Sequence, residues 1–427
     1  MKKHLLLIVM MAIAIGAQAQ TKFVGGDISM LTKYEDAGVK YKDKNGTDVK
    51  PLNFFYDQGL NAMRVRLFVN PSNATTAEKK GGVCQDIAYV TALGKRIKQA
   101  GFKLMLDFHY SDTWADPAKQ WTPKDWLDLT DEQLYERIYN YTKESLTTLT
   151  KAGVIPDFIQ TGNEISYGIL YGKGIITKNT DAETEYQTSS DTYKKCYTSS
   201  TANWDRFTTL LKNAGKACRD ICPDAKIILH TERSAQPTTL TAFYDKMETA
   251  GVDYDIIGLS YYPAYHQSIA TLENAIKALE NKSYGKDIMI VETGYSYAWP
   301  LSETSFDYTA TYPYTEEGQR KFTADLITML NKHSSVTGLF WWWMEDNGNT
   351  SVTPKWWNAA LYDHNTGKPY AALYELKNFA SGSDGIQNIK AEKATDDAWY
   401  SLDGQRMATK PATKGIFIHQ GRKVINR

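Results

Sequence analysis

Two glutamates close two apolar runs, and that setting is what could do chemistry. One run is Pro156-Asp157-Phe158-Ile159-Gln160-Thr161-Gly162-Asn163-Glu164, and the other is Asp287-Ile288-Met289-Ile290-Val291-Glu292-Thr293-Gly294-Tyr295. A lone glutamate at a loop edge is ordinarily a solvated surface group. Two of them, each at the end of a strand-like run in a chain with 11 Trp and 28 Tyr, fit chemistry on sugars. Cleavage of a glycosidic bond commonly takes two carboxyl groups: one protonates the leaving oxygen, the other attacks the anomeric carbon or activates water. Asn163, directly before Glu164, is placed to hydrogen-bond a sugar 2-hydroxyl. Aromatic faces stack on the C–H faces of sugars, although most of these rings are expected in the core.

The elements that must position the pair alternate along the chain. Strand patterns fall at Phe23–Ile28, Ala62–Phe68, Lys103–Phe108, Asp157–Thr161, Lys226–His230, Ile256–Tyr261, Ile288–Val291 and Gly338–Trp342. Helical periodicity falls between them, at Ile87–Gln99, Glu132–Leu149, Trp204–Arg219, Ser268–Leu279 and Glu317–Leu330. Eight strands alternating with helices give the count of a (β/α)8 TIM barrel. A doubly wound sheet is the alternative, but its phosphate-binding glycine loop is missing. In a barrel, strands four and seven face each other across the mouth, so their carboxyl groups can approach to roughly 5–5.5 Å, the separation of retaining glycosidases. The long connections Asn70–Val83, Ser111–Asp128, Ser166–Trp204 and Tyr295–Glu316 all follow strands, where a barrel's active-site loops belong.

The chain of 427 residues carries zero formal net charge, so no basic field favours nucleic acid or an anionic membrane. Lys2 and Lys3, an apolar stretch from Leu5 to Ile15, and Ala17-Gln18-Ala19 read as an export signal over residues 1–19. The apolar stretch is too short to span a bilayer stably. Export to the periplasm, cell surface or medium is therefore expected, with no membrane span. Residues 20–380 read as the barrel, 381–397 as a polar linker and 398–427 as a small β-rich module with turns at Asp403-Gly404 and Gln420-Gly421. This tail resembles C-terminal modules on exported proteins of Gram-negative polysaccharide degraders, a resemblance that implies a sorting or surface-retention signal; a plain accessory β-unit is an equal reading. Cys84, Cys196, Cys218 and Cys222 read as buried free thiols or as one long-range disulfide, not as metal ligands.

Several landmarks carry a family resemblance: Gly25-Gly26-Asp27-Ile28-Ser29, the run Met63-Arg64-Val65-Arg66-Leu67-Phe68, the run Asp107-Phe108-His109-Tyr110-Ser111-Asp112-Thr113-Trp114-Ala115-Asp116-Pro117, Gln160–Glu164, Gly258–Pro263 and Val291-Glu292-Thr293. Over residues 22–379 the chain resembles the endo-β-1,4-galactanases of glycoside hydrolase family 53. That resemblance implies a retaining endo-hydrolase of the β-1,4-galactan side chains of pectin and type I arabinogalactan. It implies Glu164 as general acid/base, Glu292 as nucleophile and Asn163 on the sugar 2-hydroxyl. Arg66 is expected beneath the nucleophile, keeping it ionised as a nearby cation does. Tyr262 is expected to hydrogen-bond the nucleophile.

His109 is expected either to brace the acid/base or a sugar hydroxyl, or to be a satisfied core histidine; His230 invites the same two readings. Asp112, Trp114 and Asp116 are expected near the sugar. Strand alternation puts Trp341 and Trp343 on one face and Trp342 on the other, and Trp343, nearer the mouth, is expected as a stacking platform. Some relatives carry calcium after strands seven and eight; no metal or cofactor is expected here, and a monomer is expected. The rivals are another activity of the same clan, a β-galactosidase or β-mannanase, and a non-catalytic glycan-binding protein that kept the cleft. HExxH and GxSxG patterns are absent, and Gly258-Leu259-Ser260 lacks the elbow's final glycine.

Overall fold

A computed structural model describes residues 21–172, 203–349 and 356–381, with shorter stretches between 175 and 201, Val352, and short stretches between 399 and 426. The expected export signal, most of the expected linker and both expected tail turns lie outside the described residues. The chain divides into two compact units, Met1–Ser383 and Asp384–Arg427.

The first unit is a closed barrel of eight parallel strands in chain order. They are β1 (Phe23–Asp27), β2 (Ala62–Leu67), β3 (Lys103–Phe108), β4 (Phe158–Thr161), β5 (Lys226–Thr231), β6 (Ile256–Tyr261), β7 (Asp287–Thr293) and β8 (Val336–Trp341). β8 pairs with β1, which removes both sheet edges. The strands are buried on both faces because helices cover the outside and side chains fill the inside. Ala62, Met105, Phe158, Ile228, Ile256, Met289, Val291 and Phe340 form one such cluster of buried side chains.

Helix ends follow the capping residues. Asp86 accepts from Tyr89 N to start Ile87–Gln99, Thr130 and Gln133 form a capping box at Asp131–Lys151, and Ser268 caps Ile269–Glu280. Trp204–Ile221 buries Phe207, Leu210, Leu211, Ala214 and Cys218, an i, i+3, i+4 stripe against the barrel. Truncating Leu210 to Ala would cost about 2–5 kcal/mol through lost burial and a cavity. Pro237–Ala250, between β5 and β6, is a helix the sequence pattern had not singled out. After β1 the covering helices are short, Leu31–Asp36 and Pro51–Asp57.

Two backbone irregularities bear on the site. The β6–β7 ladder shifts register between Leu259 and Ser260, so Ser260 pairs with Glu292 rather than with Val291. Such a bulge re-aims side chains at a barrel rim. After β4, Gly162 (φ +104°) and Glu164 (φ +47°) are left-handed. Only glycine takes the first conformation cheaply, and a Cβ on Gly162 would also meet Ile165 Cγ2 at 2.5 Å.

In the loop after β4, Ile175–Lys178 and Thr184–Gln187 pair as an antiparallel hairpin. The second unit contains a four-stranded antiparallel sheet in the order Arg406–Met407, Trp399–Tyr400, Gly415–His419, Arg422–Asn426. Trp399 and His419 stack within it at 4.3 Å. All four cysteines are free; Cys196, Cys218 and Cys222 are buried. Among the described residues no helix is long and apolar enough to cross a membrane.

Candidate active site

Glu164 and Glu292 meet at the C-terminal mouth of the barrel around one hydroxyl. Ser260 Oγ donates to Glu164 Oε1 at 2.6 Å and lies 3.5 Å from Glu292 Oε2. Together those distances cap the separation of the two oxygens at about 6 Å. That is short of the roughly 6.5–9.5 Å that inverting glycosidases need for a water, and close to the retaining separation.

The two carboxyls are held differently. Arg64 Nη2 lies 2.9 Å from Glu292 Oε1, an ion pair, and Tyr262 Oη donates to Oε2 at 3.0 Å. Glu164 has the Ser260 hydroxyl and no cation within ion-pair range among the described residues. Burial, then the negative charges of Glu292 and Glu232, hold the Glu164 carboxyl well above the usual carboxylate range. Burial also pushes Glu292 up, to about 7, while Arg64 and the Tyr262 hydroxyl pull it down. Of this coupled pair, Glu164 is therefore the group that keeps a proton.

The left-handed turn that presents Glu164 is pinned from several sides. Ile165 N donates to His230 O at 2.8 Å, Gln120 Nε2 donates to Asn163 O at 2.7 Å, and Glu164 N lies 3.3 Å from His230 Nδ1. Gln160 Nε2 lies 2.9 Å from the same nitrogen. Two donors and one acceptor, Asn163 Oδ1 at 3.1 Å, meet His230 Nδ1; because Ser260 gives its own proton to Glu164, the proton between His230 and Ser260 belongs to Nε2, which donates to Ser260 Oγ at 2.8 Å. Burial, then the charge of Arg64, hold His230 well below its ordinary pKa, so the ring is neutral. A directed relay therefore runs from Gln160 through His230 and Ser260 to Glu164.

The cation expected beneath Glu292 is Arg64, not Arg66. Both face the barrel interior, two residues apart on β2. The Arg66 guanidinium instead pairs with Asp27 Oδ1 at 2.8 Å and sits 4.6 Å from the Trp114 ring and 5.0 Å from both Trp342 and Trp343. Arg64 reaches Asp27 at 3.1 Å, Asp107 at 2.7 Å and Asn163 Oδ1 at 2.8 Å besides Glu292. Asn163 Nδ2 donates to Ala115 O at 2.8 Å, which fixes the amide beside Glu164.

His109 does not touch Glu164. It is buried, its Nδ1 accepts from Ala115 N at 3.0 Å and its Nε2 lies 3.1 Å from Asp107 Oδ2. It is a buried core histidine that ties the loop after β3 to Asp107; the brace on the acid comes from His230 and Ser260. Asp112 is also removed from the pair. It accepts from Asn70 N, Asn73 Nδ2 and Lys124 N, organising two loops. Asp116 is partly exposed, accepts from Ala118 N and Lys119 N, and its charge acts on Glu164. Trp114 is half-buried between Phe68 and the pair Trp342 and Trp343.

The expected alternation of the three tryptophans fails because β8 ends at Trp341 and Trp343 takes a left-handed φ of +51°. Trp341 is fully buried and donates Nε1 to Ala359 O. Trp342 and Trp343 turn to the same side, ring centroids 5.6 Å apart, around Arg66. Trp343 is 3% exposed, so the open platform expected there is not available to a sugar. Arg64, Ser260 and Trp342 were missed, and the signal was present: Arg64 and Arg66 share a face, as do Ser260 and Tyr262. Glu345 is buried with Met30 N on its Oε1, and burial, then the charge of Asp27, hold its carboxyl well above the usual carboxylate range.

Comparison with known proteins matches the profile of glycosyl hydrolase family 53 over residues 23–376. The chain is 34% identical over 390 residues to the arabinogalactan endo-β-1,4-galactanase of Cellvibrio japonicus strain Ueda107, covering 85% of this chain and 93% of that protein. The Ignisphaera aggregans family 53 catalytic domain superposes with a TM-score of 0.71 at 28% identity, over 86% of this chain and 98% of that one. A fungal β-1,4-galactanase superposes with a TM-score of 0.67 at 26% identity, over 84% and 99%. With the barrel, the glutamate pair and the family profile all spanning the same stretch, the chain belongs to glycosyl hydrolase family 53.

Proposed function

We propose that this glycoside hydrolase cuts β-1,4-galactosidic bonds within galactan and type I arabinogalactan side chains, with retention at the anomeric carbon. The observation that carries the stereochemistry is the shared Ser260 hydroxyl, which caps the approach of the two carboxyl oxygens at about 6 Å. The substrate follows from family membership and from the activity named for relatives such as the Cellvibrio japonicus enzyme.

Glu164 is the general acid/base and Glu292 the nucleophile. Glu164 gives its proton to the glycosidic oxygen as a Glu292 oxygen attacks the anomeric carbon. The carbon–oxygen bond to the leaving chain breaks and a glycosyl ester forms. The negative charge of Glu292 is then gone, so Glu164 becomes a base strong enough to take a proton from water. The water oxygen displaces Glu292, which leaves ionised beside Arg64. In this reading Asn163, whose amide is fixed beside Glu164 by Arg64 and Ala115 O, binds the sugar 2-hydroxyl.

The reading extends to export directed by residues 1–19 and to a monomer. The β-rich tail fits sorting or surface retention.

The test is reducing-end release from debranched β-1,4-galactan by wild type, Glu164→Gln and Glu292→Gln. Short oligomers from wild type, with a β-anomer appearing first by proton NMR and both variants inactive, support the reading. A folded wild type that leaves galactan intact rejects it and directs the search to mannan and terminal galactosides. A first-formed α-anomer rejects retention.

A further inference from the structure

A second concavity opens beside the site, at the same end of the barrel. Its lining comes from the segments after β1 and β2, including Met30, Lys33, Ser72, Lys79, Lys80 and Val83, around about 560 Å³. It is joined to the candidate active site through two contacts. Met30 N donates to Glu345 Oε1 at 2.9 Å, and Gly82 approaches the Trp343 ring so closely that a Cβ would lie 2.9 Å from its Cζ2.

The chemistry of this cavity differs from that of the aromatic site. Lys33, Lys79 and Lys80 are exposed and line one hollow. None has a carboxylate within 4 Å among the described residues, and what sets them apart from other unpaired surface lysines is that all three line the same hollow. Lys79 Nζ donates to Ser72 O at 2.9 Å, which holds it in place. Nearby acids are committed elsewhere: Glu78 to the Thr75 capping box, Glu35 to Arg96, and Asp86, which also lines the hollow, to the Tyr89 amide. The capping box fixes the helix Thr76–Lys80, and its two lysines sit in the last turn, where cations are favoured. In a chain of zero net charge this is a local positive concavity, large enough for a sugar ring.

We infer that this pocket binds the carboxylate of a uronosyl residue in the acidic polysaccharide that carries the galactan chains. A uronate carboxylate compensates positive charge that the hydroxyls of a neutral galactosyl unit leave uncompensated, at Lys33 and Lys80 above all, since Lys79 Nζ already donates to Ser72 O. The inference rests on the galactan reading above, and deepens it. The pocket would anchor an acidic stretch of the polymer while a neutral side chain lies in the cleft.

The experiment compares wild type with Lys33→Gln/Lys80→Gln on debranched neutral galactan and on pectic galactan that retains its uronate backbone, at low and high salt. Wild type should show a KM on pectic galactan roughly three- to tenfold below its KM on neutral galactan, the size expected of two exposed lysine–carboxylate pairs. The advantage should vanish in the double variant and at high salt, with kcat and the neutral-galactan KM unchanged. Titration of wild type with oligogalacturonate, followed by NMR, should move the Met30 and Val83 amides; the double variant should not respond. Equal KM values for wild type on both substrates overturn the inference while leaving the galactanase reading intact. Inactivity on neutral galactan defeats that reading separately. Amide shifts with inorganic phosphate but none with oligogalacturonate also overturn the inference, by showing a simple anion site.

Discussion

Arg64 Nη2 lies 2.9 Å from Glu292 Oε1, and no other cation among the described residues comes within ion-pair range of either glutamate. One guanidinium therefore sets the asymmetry between two buried carboxyls. Removing its charge raises the Glu292 pKa further from the ordinary carboxylate range. Because Glu292 must be ionised to attack, the acid limb of kcat/KM moves to higher pH in Arg64→Gln. Arg64→Lys keeps the charge and should move the limb less, while losing the second contacts to Asp107 and Asn163. Both variants should also be less stable, Arg64→Gln by about 3–5 kcal/mol, since Asp27 and Asp107 lose a buried partner. A pH–rate profile with an unmoved acid limb in Arg64→Gln would remove Arg64 from this role.

Ser260 Oγ donates to Glu164 Oε1 and lowers its pKa. In Ser260→Ala the acid loses that donor and its pKa rises, so the basic limb of kcat/KM moves to higher pH. The His230 Nε2 proton is left without an acceptor, which costs about 1–3 kcal/mol of stability. Activity should fall most on substrates whose leaving group needs protonation, and least on aryl galactosides with acidic phenols. An equal loss on both kinds of substrate would place Ser260 outside acid catalysis.

The barrel and the glutamate pair were legible because both follow from periodicity. Eight buried strands alternating with amphipathic helices leave a signal that survives small errors at the ends, such as Ile288–Val291 against the observed Asp287–Thr293. Pro237–Ala250 was harder to see: Pro237, Thr238 and Thr239 open it without an apolar stripe, and its core contacts are spread over Leu240, Phe243, Tyr244 and Met247. What sequence could not supply was reach. Arg64 and Arg66 share one face of β2, and which guanidinium reaches Glu292 depends on the partners that hold each: Asp107 and Asn163 for Arg64, Asp27 and three indoles for Arg66. The face of Trp343 depended likewise on a left-handed residue after β8, which strand alternation does not encode. The bulge that sets Ser260 opposite Glu292 is a third such local break in period.

Burial raises the Glu164 pKa in the folded chain above its unfolded value. Between those two values the folded state binds more protons than the unfolded state, so stability falls as pH rises. The contribution is fully present below the ordinary glutamate pKa near 4.3 and is lost as pH passes through the raised folded value. Glu164→Gln removes that charge. Its Tm should exceed that of wild type at pH 8, with the difference shrinking toward pH 4. A Tm difference independent of pH, measured calorimetrically across that range, would contradict the raised pKa.

Arg66 is caged by Trp114, Trp342 and Trp343, and its Nε and Nη2 are buried with no hydrogen-bond acceptor. Those N–H groups face aromatic π-systems, which attract a cation most when it is desolvated, by about 2 kcal/mol for a good contact. The cage joins the loops after β3 and β8 into one wall, and Trp342 within it also lies 5.4 Å from Arg64. Lysine keeps the charge but cannot present a flat guanidinium to three rings and to Asp27 together. Arg66→Lys should therefore raise KM several-fold with a smaller change in kcat, and shift tryptophan emission. The acid limb of the pH profile should stay in place, because Arg64 still holds Glu292. A limb that moves as far in Arg66→Lys as in Arg64→Lys would mean that Arg66 acts on Glu292 through Asp27, the carboxyl both arginines share, and not through the tryptophan wall.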